Sequence, residues 1–287
     1  MKKDQNVLYC KCRICGDEAE HKIYRVREMF FGTGQEFTYF ECDKCQCLQI
    51  LEIPENLGDF YGRDYYSFEK PQVQEPVASK RIEKRILDVG CGAGSWLVEK
   101  YAEGHVNLLG CDPFIEDDIS YGSCIHIKKC TIHEIRGCFD LIRLHDSFEH
   151  MSDPYEVLRS IDRLLDPQGT CLITMPVFPN AAYDVFGVYW YQWDAPRHLF
   201  LHSVKSMECL CARTGMRIEN VIFNSGDKQF TSSLLYRKGI PYVKQDDMLI
   251  RNEFSMQELV EFKSLTEELN KKGYGDHAVF VIAKDGV

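Results

Sequence analysis

A glycine-rich segment at residues 90–94 constrains the fold of this chain more than any other feature. It follows a short apolar run at residues 86–90, which predicts a buried strand, and it precedes an amphipathic segment at residues 95–101, which predicts a helix. A strand that turns tightly into a helix is the first half of a βαβ unit. In a sheet built from such units, ligands bind at the carboxyl ends of the strands, where this turn lies.

The rest of the chain repeats this alternation of short apolar runs and amphipathic segments. Seven runs have the length and composition of strands, at residues 86–90, 106–111, 124–127, 139–144, 170–175, 217–223 and 277–283. Strands that alternate with helices pair mostly in parallel, because each helix carries the chain back to the same edge of the sheet. The sequence therefore predicts an α/β fold with a seven-stranded, mostly parallel, doubly wound (Rossmann-like) sheet.

Capping residues predict where three of the helices begin. One helix is expected to begin after Asp153, with Glu156 completing a capping box, and to end at residues 167–169, which contain proline and glycine. Two further helices are expected to begin after Ser203 and Ser255.

Two acidic residues accompany the glycine turn and indicate what it binds. Asp88 precedes the turn, where a carboxylate would repel a pyrophosphate and attract a cation. Asp112 follows the second strand, and its carboxylate can accept both hydroxyl groups of a ribose. The alternative is a tight βα turn without a ligand. If the turn binds a ligand, we expect a positively charged nucleoside, and S-adenosylmethionine has that chemistry.

Several segments, taken in chain order, resemble the motifs of class I S-adenosylmethionine-dependent methyltransferases. They are residues 88–94 (DVGCGAG), 110–112 (GCD), 139–141 (FDL), 148–154 (FEHMSDP) and 165–170 (LDPQGT), and the resemblance covers residues 81–287. It implies that the turn glycines Gly90, Gly92 and Gly94 surround the methionine moiety. It also implies that Asp112 binds the ribose, that His145 lies near the cofactor, and that the last two strands form a hairpin.

Paired cysteines near the N-terminus predict a zinc site. Cys12 and Cys15 form one C-x-x-C pair, and Cys42 and Cys45 form a second pair 26 residues later. Four thiolates in this pattern close a tetrahedral structural zinc site, which would fold a zinc-ribbon-like module that has little core of its own. A redox dithiol is the alternative, but neither pair lies in a βαβ context.

The N-terminal module also resembles the zinc-binding leader of methyltransferases from bacterial sugar, antibiotic and surface-polysaccharide pathways. The resemblance depends on the cysteine pairs and on the tyrosines that follow them, and it implies that Tyr66 contacts the cofactor. Packing of Tyr65 and Tyr66 between two units is the alternative. We expect three parts: a module and aromatic connector at residues 1–70, a linker at 71–84, and a methyltransferase domain at 85–287 with an insertion at about 224–272.

Charge and hydropathy limit the partners of the chain. The formal net charge is −10, and residues 1–80 alone carry 11 basic against 14 acidic residues, so nucleic acid is an unlikely partner. No apolar run approaches the roughly 18 residues of a membrane-spanning helix, and residues 1–6 do not begin a secretory signal. The 14 cysteines are then expected to stay reduced in the cytoplasm.

Two histidines are candidates for the general base that methylation of a hydroxyl requires. His150 follows the fourth predicted strand and His198 follows the fifth, so both are expected on loops at the ligand-binding edge of the sheet. A structural role is the alternative for each of them.

Aromatic residues between positions 182 and 193 suit the apolar face of a sugar ring, although such a stripe can equally form core. The leading hypothesis is therefore methyl transfer to a hydroxyl or carbon of a sugar or glycan intermediate in carbohydrate biosynthesis. An RNA base methyltransferase and a non-catalytic binding protein are the alternatives. The insertion at 224–272 is expected to form a lid or a homodimer surface.

Overall fold

The computed structural model describes residues 6–61, 70–73 and 81–286 of the 287-residue chain. These residues form two compact units. Unit 1 comprises Met1–Phe60, Met175–Cys209 and Val221–Val279, and unit 2 comprises Tyr61–Thr174, Leu210–Asn220 and Phe280–Val287. The predicted division of the chain into a module at residues 1–70, a linker at 71–84 and a domain at 85–287 stays a prediction. Tyr65 and Tyr66 lie outside the described residues.

Thirteen strands and seven α-helices are found in the described part of the chain. The strands are β1 (Val7–Lys11), β2 (Glu18–Arg27), β3 (Glu36–Glu41), β4 (Leu48–Ile50), β5 (Ile82–Val89), β6 (His105–Cys111), β7 (Ile119–Tyr121), β8 (Ile125–Lys128), β9 (Phe139–His145), β10 (Leu165–Pro176), β11 (Phe200–Leu201), β12 (Met216–Phe223) and β13 (His277–Lys284). The helices are α1 (Ser95–Ala102), α2 (Pro154–Leu164), α3 (Ala181–Phe186), α4 (Val204–Thr214), α5 (Lys228–Arg237), α6 (Asp247–Glu253) and α7 (Met256–Lys271).

The smaller sheet belongs to unit 1 and has the order β1-β2-β3-β4-β11. All its pairs are antiparallel, and the last of them joins β11 to β4, with Phe200 opposite Gln49. The first cysteine pair lies in the turn after β1 and the second in the turn after β3. In each turn an amide four residues on donates to the carbonyl of the first cysteine, from Gly16 to Cys12 at 3.0 Å and from Gln46 to Cys42 at 2.7 Å.

The larger sheet has the order β12-β13-β10-β9-β5-β6-β8-β7. The pairs from β10 to β8 are parallel, which confirms the prediction of an α/β fold with a mostly parallel sheet. The sheet has eight strands rather than seven, because β7 pairs antiparallel with β8. The last two strands, β12 and β13, are neighbours as the resemblance implied.

The end of α2 differs from the prediction. Asp153 caps the helix as expected, accepting from the Glu156 amide at 3.1 Å. The helix nevertheless ends at Leu164, and β10 begins at Leu165 instead of near residue 170. Pro167 explains part of this difference, because a proline disfavours helical geometry in the residue before it. The register of β10 against β9 then shifts between Leu165 and Thr170.

The predicted insertion at residues 224–272 contains three helices, α5, α6 and α7. The predicted cap of α7 is confirmed, since Ser255 and Glu258 form a reciprocal capping box. Within the described residues, no helix has both the length and the apolar character that crossing a membrane would require.

Candidate functional site

A cleft of ≈ 590 Å³ opens in unit 2 at the carboxyl ends of β5, β6 and β9. This is the edge where the sequence predicted a ligand site. Five of the predicted site residues line the cleft: Asp88, Gly90, Asp112, His145 and His150.

The glycine turn between β5 and α1 shapes the floor of this cleft. Gly90 and Gly94 both have positive φ angles, +73° and +82°, which side-chain-bearing residues rarely adopt. A Cβ atom on Gly90 would lie 2.6 Å from Cβ of Ser147, and one on Gly94 would lie 2.4 Å from Cδ1 of Ile127. Glycine is therefore required at both positions by the turn itself and by the side chains that pack against it.

Asp112 is the buried acid at the end of β6, with 6% of its surface exposed. One carboxylate oxygen accepts from the Gly92 amide at 2.9 Å, and the other accepts from the Phe114 amide at 2.8 Å. Burial raises the pKa of Asp112, and these two amides oppose that effect. Each carboxylate oxygen can accept more than one hydrogen bond, so the group stays able to bind a diol in the cleft.

Asp88 lies beside Arg143, a basic residue that was not predicted to belong to the site. It faces Arg143 of β9 in register, and Nη1 of Arg143 lies 3.1 and 3.3 Å from its two carboxylate oxygens. The guanidinium carbon of Arg143 also lies 4.4 Å from the centre of the Trp96 ring. Burial raises the pKa of Asp88 to about 6, against the opposing effect of the Arg143 guanidinium. The charge expected to attract a cation therefore already has a cationic partner.

His150 lies in the cleft next to Tyr61. Its Nδ1 atom lies 3.2 Å from the Tyr61 hydroxyl, and the two rings meet at 70° with centroids 5.9 Å apart. Tyr61 also stacks on Phe114, with ring centroids 5.5 Å apart. His145 is more open to solvent, with 44% of its side chain exposed, and its Nε2 lies 3.5 Å from Asp146.

His198, the second candidate base, belongs to unit 1. Its Nδ1 atom lies 2.8 Å from the Gln192 carbonyl oxygen, and its Nε2 atom lies 3.8 Å from a carboxylate oxygen of Asp194. Because a carbonyl can only accept, the contact to Gln192 requires a proton on Nδ1, and the neutral imidazole then has its lone pair on Nε2. This is the tautomer that a base acting through Nε2 needs.

The four predicted zinc ligands come together in unit 1. Sγ of Cys12 lies 3.6 Å from Sγ of Cys45, and Sγ of Cys15 lies 3.6 Å from Sγ of Cys42. All four sulfurs lie within 4.8 Å of one another. A tetrahedral zinc with Zn–S bonds of about 2.3 Å requires sulfurs about 3.8 Å apart, so this cluster fits the ion.

The surroundings of the cluster favour a thiolate at Cys12. The hydrogen bond from the Cys45 thiol lowers the pKa of Cys12 to about 4, against the effect of burial. The buried Gln49 side chain also donates to Sγ of Cys12 at 2.9 Å. Burial raises the pKa of Cys42, and the hydrogen bond to Cys12 raises the pKa of Cys45, so zinc, which binds thiolates, would displace protons from these two ligands.

The aromatic segment at residues 182–193 is partly buried. Trp190 and Trp193 are 0% and 1% exposed, and the Trp190 indole donates to Asp276 at 2.9 Å. Their faces are therefore covered by other side chains, which supports the core alternative for these two rings.

Most of the other residues that line the cleft were not predicted as site residues, among them Tyr61, Trp96, Phe114 and Arg143. Of these four residues, only Arg143 could have been identified as a site residue from the sequence. It is a charged residue between the apolar residues Ile142 and Leu144 of its strand, and a buried Asp88 on a neighbouring strand requires such a partner. The three aromatic residues resemble many others in the chain, so nothing local distinguishes them.

Comparison with known proteins places these features in context. The family described as "Methyltransferase domain" matches residues 63–221, more than half of the chain. The tRNA U34 carboxymethyltransferase of Campylobacter jejuni is 22% identical over 177 residues, covering 55% of this chain and 58% of that protein. The ubiquinone biosynthesis O-methyltransferase of Haemophilus ducreyi is 31% identical over 106 residues, covering 32% of this chain and 44% of that protein.

The chain thus spans about half the length of the curated relatives it matches. Among solved structures, the cyclopropane synthase MmaA2 from Mycobacterium tuberculosis aligns with a TM-score of 0.45 and 16% identity, covering 72% of this chain and 80% of that one. A structural similarity with a TM-score of 0.45 does not support an inference about function.

Proposed function

Because the chain belongs to the methyltransferase-domain family, we propose that it transfers the methyl group of S-adenosylmethionine to a small-molecule or glycan acceptor. The combination of the glycine turn and Asp112 in one cleft carries this proposal. Bound S-adenosylmethionine supplies an electrophilic methyl group on a sulfonium. The chain itself has to hold the cofactor, orient the acceptor and accept a proton.

The turn is proposed to hold the methionine end of this cofactor, and Asp112 its ribose. Gly90 lines the cleft, and the carboxylate of Asp112 can accept from both ribose hydroxyls. The two amides that Asp112 accepts from hold it in place before any ligand binds, so little ordering is needed on binding.

Asp112→Ala is expected to weaken binding of S-adenosylhomocysteine by about 10- to 100-fold, because a hydrogen bond to a charged group contributes about 1.5–3 kcal/mol. Isothermal titration calorimetry measures the effect. Asp118→Ala is the matched control, since Asp118 is an exposed acid that pairs with Lys128 and does not line the cleft. Equal affinity in the wild type and Asp112→Ala would contradict the ribose assignment.

His150 and His198 are the proposed general bases for a hydroxyl acceptor. The Tyr61 contact supports His150, because a fixed hydrogen bond orients the imidazole in the cleft. The Gln192 contact supports His198, because it fixes the tautomer with the lone pair on Nε2. Binding of zinc by Cys12, Cys15, Cys42 and Cys45 is proposed to be structural, since four sulfurs leave no open coordination position.

A sugar hydroxyl or carbon is the acceptor we propose. The net charge of −10 disfavours a polyanion, and the paired cysteines resemble those of methyltransferases from sugar pathways. The similarity to an O-methyltransferase over 106 residues supports oxygen as the atom that receives the methyl group.

Methyl transfer to an RNA base is the second candidate function. The similarity to a tRNA U34 carboxymethyltransferase over 55% of the chain favours it, and so the low basic charge does not exclude a nucleic acid partner.

Two measurements test the proposed function. Calorimetry with S-adenosylhomocysteine is expected to give micromolar or tighter binding; no heat at high micromolar ligand would instead support a non-catalytic binding protein. Methyl-labelled S-adenosylmethionine is then offered with nucleotide sugars, with phenolic quinone precursors and with total tRNA. Label in a nucleotide sugar supports the first proposal, and label in tRNA alone overturns it in favour of the second.

A further inference from the structure

His21 of β2 is a buried polar residue of unit 1, with 1% of its surface exposed. Between residues 6–61, 70–73 and 81–286, neither Nδ1 nor Nε2 of its ring has a hydrogen-bond partner. Phe40 stacks on the ring, with centroids 5.4 Å apart, and so holds its plane. A buried polar group without a hydrogen bond is costly, and a metal ion that takes the lone pair of one nitrogen would remove part of that cost.

Two further metal-ligating side chains lie beside His21. The β2–β3 ladder pairs Lys22 with Glu41, and one step further along this register His21 lies opposite Cys42. Residues directly opposite each other on an antiparallel pair have their side chains side by side on one face. Asp17 immediately precedes β2. A ring nitrogen of His21, Sγ of Cys42 and a carboxylate oxygen of Asp17 all lie within 4.8 Å of one another.

This set of donor atoms suits zinc, which binds imidazole nitrogen, thiolate sulfur and carboxylate oxygen. Ligand atoms around one tetrahedral ion are about 3.3–3.8 Å apart, so the three atoms have to approach one another by at most about 1.5 Å. The Asp17 side chain is 30% exposed, which gives an ion a route from solvent. Its ion pair with Lys44 spans 3.9 Å and is weak, because the lysine side chain is 64% exposed.

We propose that Asp17, His21 and Cys42 bind a second divalent ion of the zinc type, which the Cys42 thiolate bridges to the ion in the four-cysteine site; this inference rests on the zinc binding proposed above. The two clusters share only Cys42, and a thiolate sulfur has more than one lone pair. Four thiolates and one carboxylate carry five formal negative charges, of which one divalent ion balances two. Because His21 and three of the four cysteines are buried, the remaining negative charge attracts a second cation.

The second ion is expected to bind more weakly than the first, because it has three protein ligands, one of them shared, and water in its fourth position. We expect the purified full-length protein to retain about one equivalent of zinc and to take up about one more in a titration against a chromophoric chelator. His21→Gln and Asp17→Asn should each weaken the second step at least about 10-fold and keep the first, because even groups that only orient a metal ligand contribute about 10- to 100-fold. Cadmium NMR of the cadmium-substituted wild type should show a second signal that His21→Gln lacks.

A matched variant and a second substitution keep this test decisive. Asp43→Asn is the control, because Asp43 is an exposed acid in the turn that follows Cys42 and belongs to neither cluster, so it should keep both binding steps. If His21→Gln does not fold, the half-exposed Asp17 carries the comparison alone. Uptake of a single equivalent by the wild type, or an unchanged second step in both Asp17→Asn and His21→Gln, overturns the second site and leaves the four-cysteine site standing. A wild type that binds no zinc overturns both sites.

Discussion

His150→Gln is expected to lower kcat by a factor of about 10² to 10⁴, the range that general acid–base groups contribute. Glutamine preserves the size and polarity of the side chain but cannot accept a proton near neutral pH. His150 lines the cleft, and Tyr61 orients its ring, so the loss should appear in the chemical step. The measurement is kcat with the acceptor found by the methyl-transfer screen, together with the affinity for S-adenosylhomocysteine, which should stay within about threefold of the wild type.

Two further variants separate the possible roles of the histidines. His198→Gln tests the other candidate, and a loss in that variant alone would move the base to His198. His126→Gln is the control, because His126 is an exposed residue of β8 that hydrogen-bonds Ser120. Undiminished turnover in both His150→Gln and His198→Gln removes the assignment of a histidine base. A weaker binding of S-adenosylhomocysteine in His150→Gln, with kcat unchanged, would make His150 a ligand contact.

A third variant tests whether Tyr61 acts through His150. Tyr61→Phe keeps the ring that stacks on Phe114 and removes the hydroxyl that lies 3.2 Å from His150. If Tyr61 orients the base, kcat falls and the pH at which the rate is half-maximal shifts. A purely structural tyrosine would change neither the pH profile nor kcat.

The parts of the fold that could be predicted from sequence are those with a local pattern. Strand β5, the glycine turn and α1 follow one another between Ile82 and Ala102, and each is encoded by its own composition. The same holds for the two cysteine pairs, because a C-x-x-C spacing places two sulfurs on one side of a turn. The glycine turn and the cysteine pairs lie where the sequence predicted them, whereas β5 begins at Ile82, four residues before the predicted strand.

The features that were missed depend on contacts between distant residues. Strand β11 is two residues long, and it pairs with β4, which lies some 150 positions earlier in the chain. A two-residue segment has no periodicity to detect, so its place in the smaller sheet follows only from the pairing. The end of α2 was misplaced for a related reason, since β10 gains its first residues by pairing Leu165 with Phe139.

In the candidate site, too, residues with a local sequence pattern were predicted and residues brought in by distant contacts were not. Asp112 and Gly90 were identified because their residue types stand at fixed offsets from a strand end. The resemblance placed the tyrosine-rich segment that contains Tyr61 over the cofactor but named only Tyr66 as a contact, because the cleft that Tyr61 lines is assembled from segments up to 96 positions further along the chain. Arg143 was missed although its partner Asp88 had been predicted as a site residue, because the charge of Asp88 was expected to face a ligand and not a neighbouring strand.

Removal of zinc is expected to have the largest effect on stability. Binding of a structural zinc contributes about 10–16 kcal/mol in small zinc-finger peptides, as much as the whole unfolding free energy of an ordinary domain. Cys42→Ser removes one ligand of the cluster, at a position with 0% exposure. We therefore expect the purified variant to contain less than about half an equivalent of zinc and to unfold at least about 10 °C below the wild type, because each kcal/mol shifts Tm by about 2–4 °C in a domain of this size.

Cys10→Ser is the matched control, because Cys10 is a half-buried cysteine of β1 outside the four-sulfur cluster. It should retain one equivalent of zinc and the wild-type Tm. A chelator added to the wild type should reproduce the Cys42→Ser melting curve, since both treatments remove the same ion. The prediction fails if the purified wild type contains less than about half an equivalent of zinc, or if Cys42→Ser and Cys10→Ser unfold at the same temperature. In either case the smaller sheet would owe its stability to the buried side chains around Tyr39 and Leu48 rather than to the metal.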